Sequence, residues 1–314
     1  MNYIITHAPH IKDKESVSGM MFSVIAALIP AAILGSYFFG LKALGLILVC
    51  VITAVATEYL IVGVIKREEV FPDGSAVVTG LLLAMSISPS MPYFAAVLGT
   101  VFAIAIGKQL FGGLGYNIFN PALIGRAFLA AAFPVHMTSW VVPLSHRGVE
   151  AITSATPLAV MKFQHELTPY AKLFFGNVSG CVGETSALLL LLGGLFLLWR
   201  GVISWRIPAS YLGTVALFGG IFWLMNPATY PDPLFHLLAG GLMLGAWFMA
   251  TDLVTSPLTS KGMWVFGAGA GILVVVIRLF SGLPEGVMYS ILIMNACVPL
   301  INRYTRPRIL GRAK

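Results

Sequence analysis

The sequence predicts an all-α membrane protein of about ten transmembrane helices, in two inverted five-helix repeats with broken third helices, joined by one long loop outside the cytoplasm. Three observations predict it. The 314 residues are 58% hydrophobic and only 10% charged, against about 25% charged for a soluble globular domain. Mean hydropathy is +0.90, and apolar runs recur along nearly the whole length. The basic residues concentrate in alternate short loops. A water-soluble fold is excluded, and no stretch is left over for a separate soluble domain.

The apolar runs divide the chain into three parts. Residues 1–133 hold spans near 20–40, 43–65, 76–88, 92–110 and 118–133. Residues 134–184 form the loop. Residues 185–314 hold spans near 185–199, 207–225, 234–250, 263–280 and 286–302, then a basic tail. Met1 to Ser18 carry His7, His10, Lys12, Asp13, Lys14 and Glu15 and lack the apolar core of a cleavable signal peptide, so the first span is expected to be retained.

Direction follows from charge. With ten spans and the N-terminus inside, Lys12, Lys14, Lys66, Arg67, Lys108, Arg200, Arg206, Lys261, Arg303, Arg306, Arg308, Arg312 and Lys314 face the cytoplasm, thirteen in all. Lys42, Arg147, Lys162, Lys172 and Arg278 fall outside or near outer ends. Both termini are therefore expected in the cytoplasm and the long loop beyond the membrane. The net charge of +7 then reports topology and contact with anionic lipid, and no nucleic-acid partner is expected.

Five spans per half reverse the direction of the second half, the arrangement of inverted repeats. Gly80-Leu81-Leu82-Leu83-Ala84 resembles Gly241-Leu242-Met243-Leu244-Gly245, and Leu110-Phe111-Gly112-Gly113 resembles Leu279-Phe280-Ser281-Gly282. Spans three and eight run into Ser88-Pro89-Ser90-Met91-Pro92 and Thr251-Asp252 through Ser256-Pro257. Paired interruptions point to a central site, because irregular backbone in lipid survives only where protein or a water-lined cavity satisfies it. Ordinary loop prolines are the competing reading.

The chemistry-bearing residues exclude several carriers. Of the six histidines only His236 lies in a predicted span, so no histidine pair is placed for haem. Cys50, Cys181 and Cys297 are far apart, which gives no disulfide framework, iron-sulfur site or zinc site. No GxxxxGKT, GxGxxG or HExxH string occurs. No metal and no catalytic residue is expected, and any electron carrier held by this chain would be organic.

The loop is the one long polar stretch, and long loops are usually functional. It contains Glu150-Ala151-Ile152-Thr153-Ser154-Ala155-Thr156-Pro157-Leu158. Pro157 pushes Thr156 toward an extended conformation, and small neighbours are expected to leave its hydroxyl accessible. A plain turn is the alternative. This string resembles the flavinylation motif of the family containing the D subunit of the Rnf complex and the B subunit of the sodium-pumping NADH:quinone oxidoreductase. Ser154 stands where that family usually has Gly, and Glu150 where Asp is common. The segments Asp73 to Ala84, Lys108 to Arg126 and Met249 to Pro257 are also similar to family strings, and together they span most of the chain.

The resemblance implies FMN joined through its phosphate to Thr156 by a flavin transferase, with Ser154 and Ala155 in the attachment motif. Arg147, Lys162 or Lys172 are candidates to neutralise that phosphate, unless they are simply solvated. Asn117 and Asn120 match a segment near a non-covalent riboflavin in the family's B subunit, or else they cap backbone near Pro121. Glu58, Asp73 and Asp252 are candidates for an ion path, unless they pair with Arg126, Lys66 or Arg67 or face water at helix ends. Arg126, inside span five, must face protein or water. The implied role is an electron-transfer subunit in a bacterial or archaeal cytoplasmic membrane. It would sit in a complex that oxidises ferredoxin, reduces NAD and exports Na+ or H+. Membrane partners, a flavin-bearing G-type subunit, and iron-sulfur and NAD-binding subunits supply the rest. The rivals are an inverted-repeat transporter or channel without flavin, and a flavin-free scaffold.

Overall fold

The structure, a computed structural model, describes residues 16–67, 73–144, 154–227 and 229–307. Each of the ten predicted apolar segments is helical. In the first half these are α1 (Val17–Phe39), α2 (Leu41–Tyr59, continued by a π-helical turn Leu60–Ile65), α3 (Ser75–Ser86), α4 (Tyr93–Ala105) and α5 (Pro121–Ala132). Three short helices follow: α6 (Pro134–Thr138), α7 (Pro157–Gln164) and α8 (Tyr170–Phe175). The second half has α9 (Ala187–Trp199), α10 (Arg206–Met225), α11 (Pro233–Leu238), α12 (Leu242–Leu244), α13 (Ser260–Phe280) and α14 (Val287–Tyr304). Among the described residues, five helical stretches are long and apolar enough to cross a membrane: 17–39, 41–65, 93–111, 206–225 and 260–280. Helices α3, α5 and α9 are apolar but shorter.

Packing repeats between the halves. Helix α2 packs on α3 and α4, and α4 on α5; likewise α10 packs on α11 and α13, and α13 on α14. The halves meet through α1 against α9 and α5 against α14. Small residues permit the close approaches, as expected where helices gain little from hydrophobicity in lipid. A Cβ on Gly80 would stand 2.8 Å from the Cys50 carbonyl oxygen of α2.

The eighth predicted span is interrupted earlier than expected. The sequence put its break at Thr251–Pro257, but the chain already leaves the helix at Ala239–Gly241, where Gly240 takes φ +70°. It resumes as α12 and a π-helical turn, Gly245–Met249. Two adjacent glycines weaken a helix, and Gly240 adopts the left-handed conformation that side chains resist. Distant side chains satisfy the freed backbone. Arg278 of α13 donates to the carbonyls of His236 (2.6 Å) and Ala239 (3.0 Å), and Glu285 accepts from the Gly241 N–H at 2.6 Å.

At the other break, after α3, the connecting segment does this work. Val182 donates its N–H to the Ile87 carbonyl at 3.4 Å, and the Cys181 thiol donates to the Ser86 carbonyl at 3.1 Å. Val182 and Cys181 are fully buried. The described end of the 134–184 stretch is thus folded into the bundle, not a plain connector.

Among the described residues, two basic ones counted as membrane-flanking are interior. Lys108 is 2% exposed and Arg278 3%. Without these two, the expected count becomes twelve inner against four outer charges.

Candidate functional site

Thr156 has the extended conformation that Pro157 predicts, φ −69° and ψ 156°, and is the N-cap of α7. Its hydroxyl oxygen accepts from the Ala159 N–H at 3.3 Å, the usual work of a threonine in this position. The expected accessibility is corrected: Thr156 is only 8% exposed, because Pro157 and Leu158 turn inward with the start of the helix. Ala155 is the exposed residue beside it. Ser154 is held by its N–H donating to the Trp140 carbonyl (3.1 Å) and by a 2.6 Å hydroxyl contact with Ser179. Glu150 and Arg147 lie outside the described residues.

Thr156 lines a cavity of about 30 Å³ with Trp140, Ser179, Glu184, Gly240 and Glu285. Behind that wall stands a buried charge cluster. Arg126 donates to Glu285 at 3.2 Å and lies 4.0 Å from Glu184. The Glu285 carboxylate is fully engaged, with Arg126 on one oxygen and Gly241 N–H on the other. Glu184 differs: one oxygen accepts from the Cys181 N–H at 3.3 Å, and the other is buried without a hydrogen-bond partner. Burial, then the neighbouring Glu285 carboxylate, push the Glu184 carboxyl above the ordinary carboxylate range. Burial would raise Glu285 as well, but Arg126 beside it holds it low. Arg126 therefore does face protein, as the cost of a cation in lipid requires. Glu184, Glu285 and the inward Arg278 were not recognised as site residues in the sequence.

The proposed phosphate cation Lys162 is committed elsewhere. Its ammonium donates to the carbonyls of Arg278 (2.8 Å), Ser281 and Leu283 (2.9 Å), closing the end of α13. Lys172 is exposed.

A second cavity, of about 60 Å³, lies between the halves and is lined by Ser75, Thr79, Lys108, Asn117, Asn120, Trp247, Phe248 and Asp252 among others. The three ion-path candidates gather around Lys108. Glu58 pairs with it at 2.5 Å and accepts from Gln109 at 2.8 Å. Lys108 also donates to the Ser75 hydroxyl (2.5 Å), which in turn donates to Asp73 (2.6 Å). Asp252 lines the same cavity and accepts from the Thr255 hydroxyl at 2.9 Å. Lys66 reaches Gln109, so the lysine facing Glu58 is Lys108. Asn120 caps α5 through Ala122 N–H (3.0 Å) and Leu123 N–H (3.3 Å), while its amide donates across to the Met249 carbonyl (3.3 Å). Asn117 donates to the Phe119 carbonyl at 3.2 Å. These bonds describe the capping alternative, and both residues still line the cavity.

The sequence model of the NQR2, RnfD, RnfE family matches residues 4–311. The D subunit of the Na+-translocating ferredoxin:NAD+ oxidoreductase complex of Acetobacterium woodii is 47% identical over 319 residues, covering 100% of this chain and 97% of the relative. Its counterpart in the proton-translocating ferredoxin:NAD+ oxidoreductase complex of Clostridium ljungdahlii is also 47% identical over 319 residues, covering 98% and 96%. The D subunit of the ion-translocating oxidoreductase complex of Salmonella paratyphi A is 39% identical over 352 residues, covering both chains entirely.

Proposed function

The chain belongs to the NQR2, RnfD, RnfE family, and on that premise we propose that it is the D-type membrane subunit of an ion-translocating ferredoxin:NAD oxidoreductase. In this reading FMN is joined through its phosphate to Thr156 on the extracytoplasmic side of a bacterial or archaeal cytoplasmic membrane, with both termini in the cytoplasm. The transferring partner is a flavin transferase. Membrane partners, a flavin-bearing G-type subunit, and iron-sulfur and NAD-binding subunits connect the chain to ferredoxin and NAD. Bound flavin supplies one- and two-electron chemistry that side chains lack.

The observation that carries this reading is the position of Thr156 as N-cap of α7. A phosphoester on its oxygen would meet the free N–H groups of the first turn, where a helix favours an anion. The eight-residue α7 is long enough to present that turn. A 30 Å³ cavity holds no isoalloxazine ring, so the ring extends from Thr156 past the exposed Ala155. The matched packing order of the two halves supports the inverted five-helix repeat.

At the inner cavity, Trp247 and Phe248 beside Asn117 and Asn120 offer aromatic faces and amides for a non-covalent flavin such as riboflavin. The grouping of Glu58, Asp73 and Asp252 about Lys108 supports an ion path there. The ion itself is not carried by overall similarity, since relatives at the same identity are named for Na+ and for protons.

The test is denaturing electrophoresis under ultraviolet light of protein made beside the flavin transferase. A fluorescent band that disappears in Thr156→Val is expected. A dark wild-type band refutes the attachment and favours the transporter or scaffold. Flavin released on denaturing Thr156→Val protein tests the second site.

A further inference from the structure

Two Trp-Arg pairs, Trp199-Arg200 and Trp205-Arg206, flank the short loop that joins α9 to α10. The second pair meets the start of α13 in space. The rings of Trp205 and Trp264 stand edge to face, with centroids 5.5 Å apart and planes at 88°. The Arg206 guanidinium lies 5.8 Å from the Trp205 ring centre, within cation–π reach. Lys261 precedes Trp264 by three residues, so the two are neighbours on the surface of α13. The end of α14 closes the same corner. The Leu258 N–H donates to the Asn302 side chain at 3.1 Å, and the hydroxyls of Thr259 and Thr305 are 2.5 Å apart, which brings Arg303 alongside.

Nothing inside the fold uses these groups. Trp205 and Trp264 are 53% and 44% exposed, although paired indole rings are large apolar surfaces. Among the described residues every ion pair belongs to Lys108 or Arg126, so Arg206, Lys261 and Arg303 have no carboxylate partner. Nearby sequence supplies none either: no Asp or Glu occurs between Glu184 and Asp232 or after Glu285. The hydrogen bond from Arg206 to the Ser204 hydroxyl, at 3.4 Å, leaves most of the guanidinium N–H groups free.

Position along the helices identifies the medium. Helices α10 and α13 are both long and apolar enough to cross a membrane, and Arg206 and Ser260 are their first residues. The corner therefore lies where the apolar stretch ends, the depth at which tryptophan rings sit among lipid headgroups. An acidic soluble partner would match the cations but leave the rings in water. A zwitterionic lipid would take the rings but bring no net charge to the cations. An anionic phospholipid satisfies both.

We propose that the starts of α10 and α13 form a binding site for an anionic phospholipid headgroup. Arg206 and Lys261 pair with its phosphate, Arg303 adds to the local positive field, and Trp205 and Trp264 lie against the glycerol and upper acyl region. The site does not depend on flavin at Thr156. In the orientation proposed above it faces the cytoplasmic leaflet, whose anionic lipids attract basic residues at span ends.

The test uses the full chain, made without the flavin transferase so that no flavin quenches, in nanodiscs of phosphatidylcholine with a minor fraction of brominated lipid. Bromine on the upper acyl chain quenches an adjacent tryptophan. The signal of this corner is the quenching that is lost in Trp205→Phe/Trp264→Phe. Each surface cation favours anionic over neutral lipid about fivefold. Brominated phosphatidylglycerol should therefore be preferred about fivefold or more over brominated phosphatidylcholine at this pair. The preference should fall toward parity in Arg206→Gln/Lys261→Gln, and high salt should weaken it in wild type. Equal quenching by the two lipids overturns the proposal and leaves an ordinary aromatic belt. A preference that survives in the charge variant also overturns it, because the anionic lipid is then held by other groups. No quenching by either lipid overturns it as well, since the corner then faces away from the bilayer, as a protein contact would. Circular dichroism checks that the charge variant is folded. If it is not, the exposed Lys261→Gln alone decides, with an expected loss of about fivefold in preference.

Discussion

Replacing either member of the Arg126–Glu285 pair should destabilise the protein far more than a surface ion pair could. The guanidinium and carboxylate are 3.2 Å apart, with side chains 11% and 17% exposed. Glu285→Gln leaves an amide that can still accept from Gly241 N–H, so the backbone break is served and the change isolates charge. It strands Arg126 and Arg278 with Glu184 alone, and uncompensated buried charges cost about 3–5 kcal/mol. Arg126→Gln strands Glu285 in the same way. The double variant removes one charge of each sign, so its loss should fall short of the sum of the single losses by about 2–3 kcal/mol. Unfolding in mixed detergent by added dodecyl sulfate, followed by circular dichroism, supplies the four free energies. Single losses under about 1 kcal/mol that simply add would match an exposed pair, and would refute the placement of these charges in a dry interior.

Other substitutions test other parts of the structure. Lys108→Met should cost about 3–5 kcal/mol, because it leaves Glu58 without its 2.5 Å partner; adding Glu58→Gln should recover at least half of that loss in the same detergent titration. Gly176→Ala should prevent accumulation of folded protein in membranes. Its φ is +104°, and an added Cβ would collide with the Thr185 carbonyl. Gly201→Ala, at φ +73° with open space around it, should cost only about 1–2 kcal/mol. For pH, Glu184 binds its proton more tightly folded than unfolded, so its contribution is complete below the ordinary carboxylate range and is lost as pH rises through the folded value. Glu285 works in the opposite sense, its contribution being lost on acidification. Unfolding midpoints should therefore fall toward alkaline pH in wild type, and Glu184→Gln should flatten that limb.

The helices were legible because apolar length and proline position act locally. Pro121 and Pro157 sit at the first positions of α5 and α7, and Asn120 and Thr156 cap them, as short-range rules expect. The charge cluster was not legible in the same way. A count of basic residues treats each one near a span end as solvated, yet Lys108 turns inward to the Glu58 carboxylate and Arg278 to the carbonyls of His236 and Ala239, all distant in sequence. Arg126 did announce a need for a partner, and Glu184 and Glu285 stood at outer span ends, but only packing brings those three together. The Gly240-Gly241 pair inside an apolar run was the available signal for the second break. The accessibility expected of Thr156 failed for a related reason: small neighbours say how much room a hydroxyl has, whereas the way α7 lies on Leu173 and Phe235 decides where it points.

Four consecutive residues connect the Thr156 pocket to both interrupted helices. Cys181 and Val182 satisfy the carbonyls left open after α3, while Glu184 lies beside the Arg126–Glu285 pair that holds Gly241. Gly183 between them faces Met85: an added Cβ would stand 2.7 Å from the Met85 Cβ and 2.9 Å from its carbonyl oxygen. That contact is backbone on one side, so the strain cannot be absorbed by a rotamer change and must move the segment or α3. Gly183→Ala should then speed amide hydrogen exchange at Val182 and also at Gly241, whose N–H depends on Glu285. Exchange changes confined to residues near 182 would mean that the two breaks are braced independently. Coupled changes would mean that occupancy at Thr156 can be felt at the centre of the fold through one short segment.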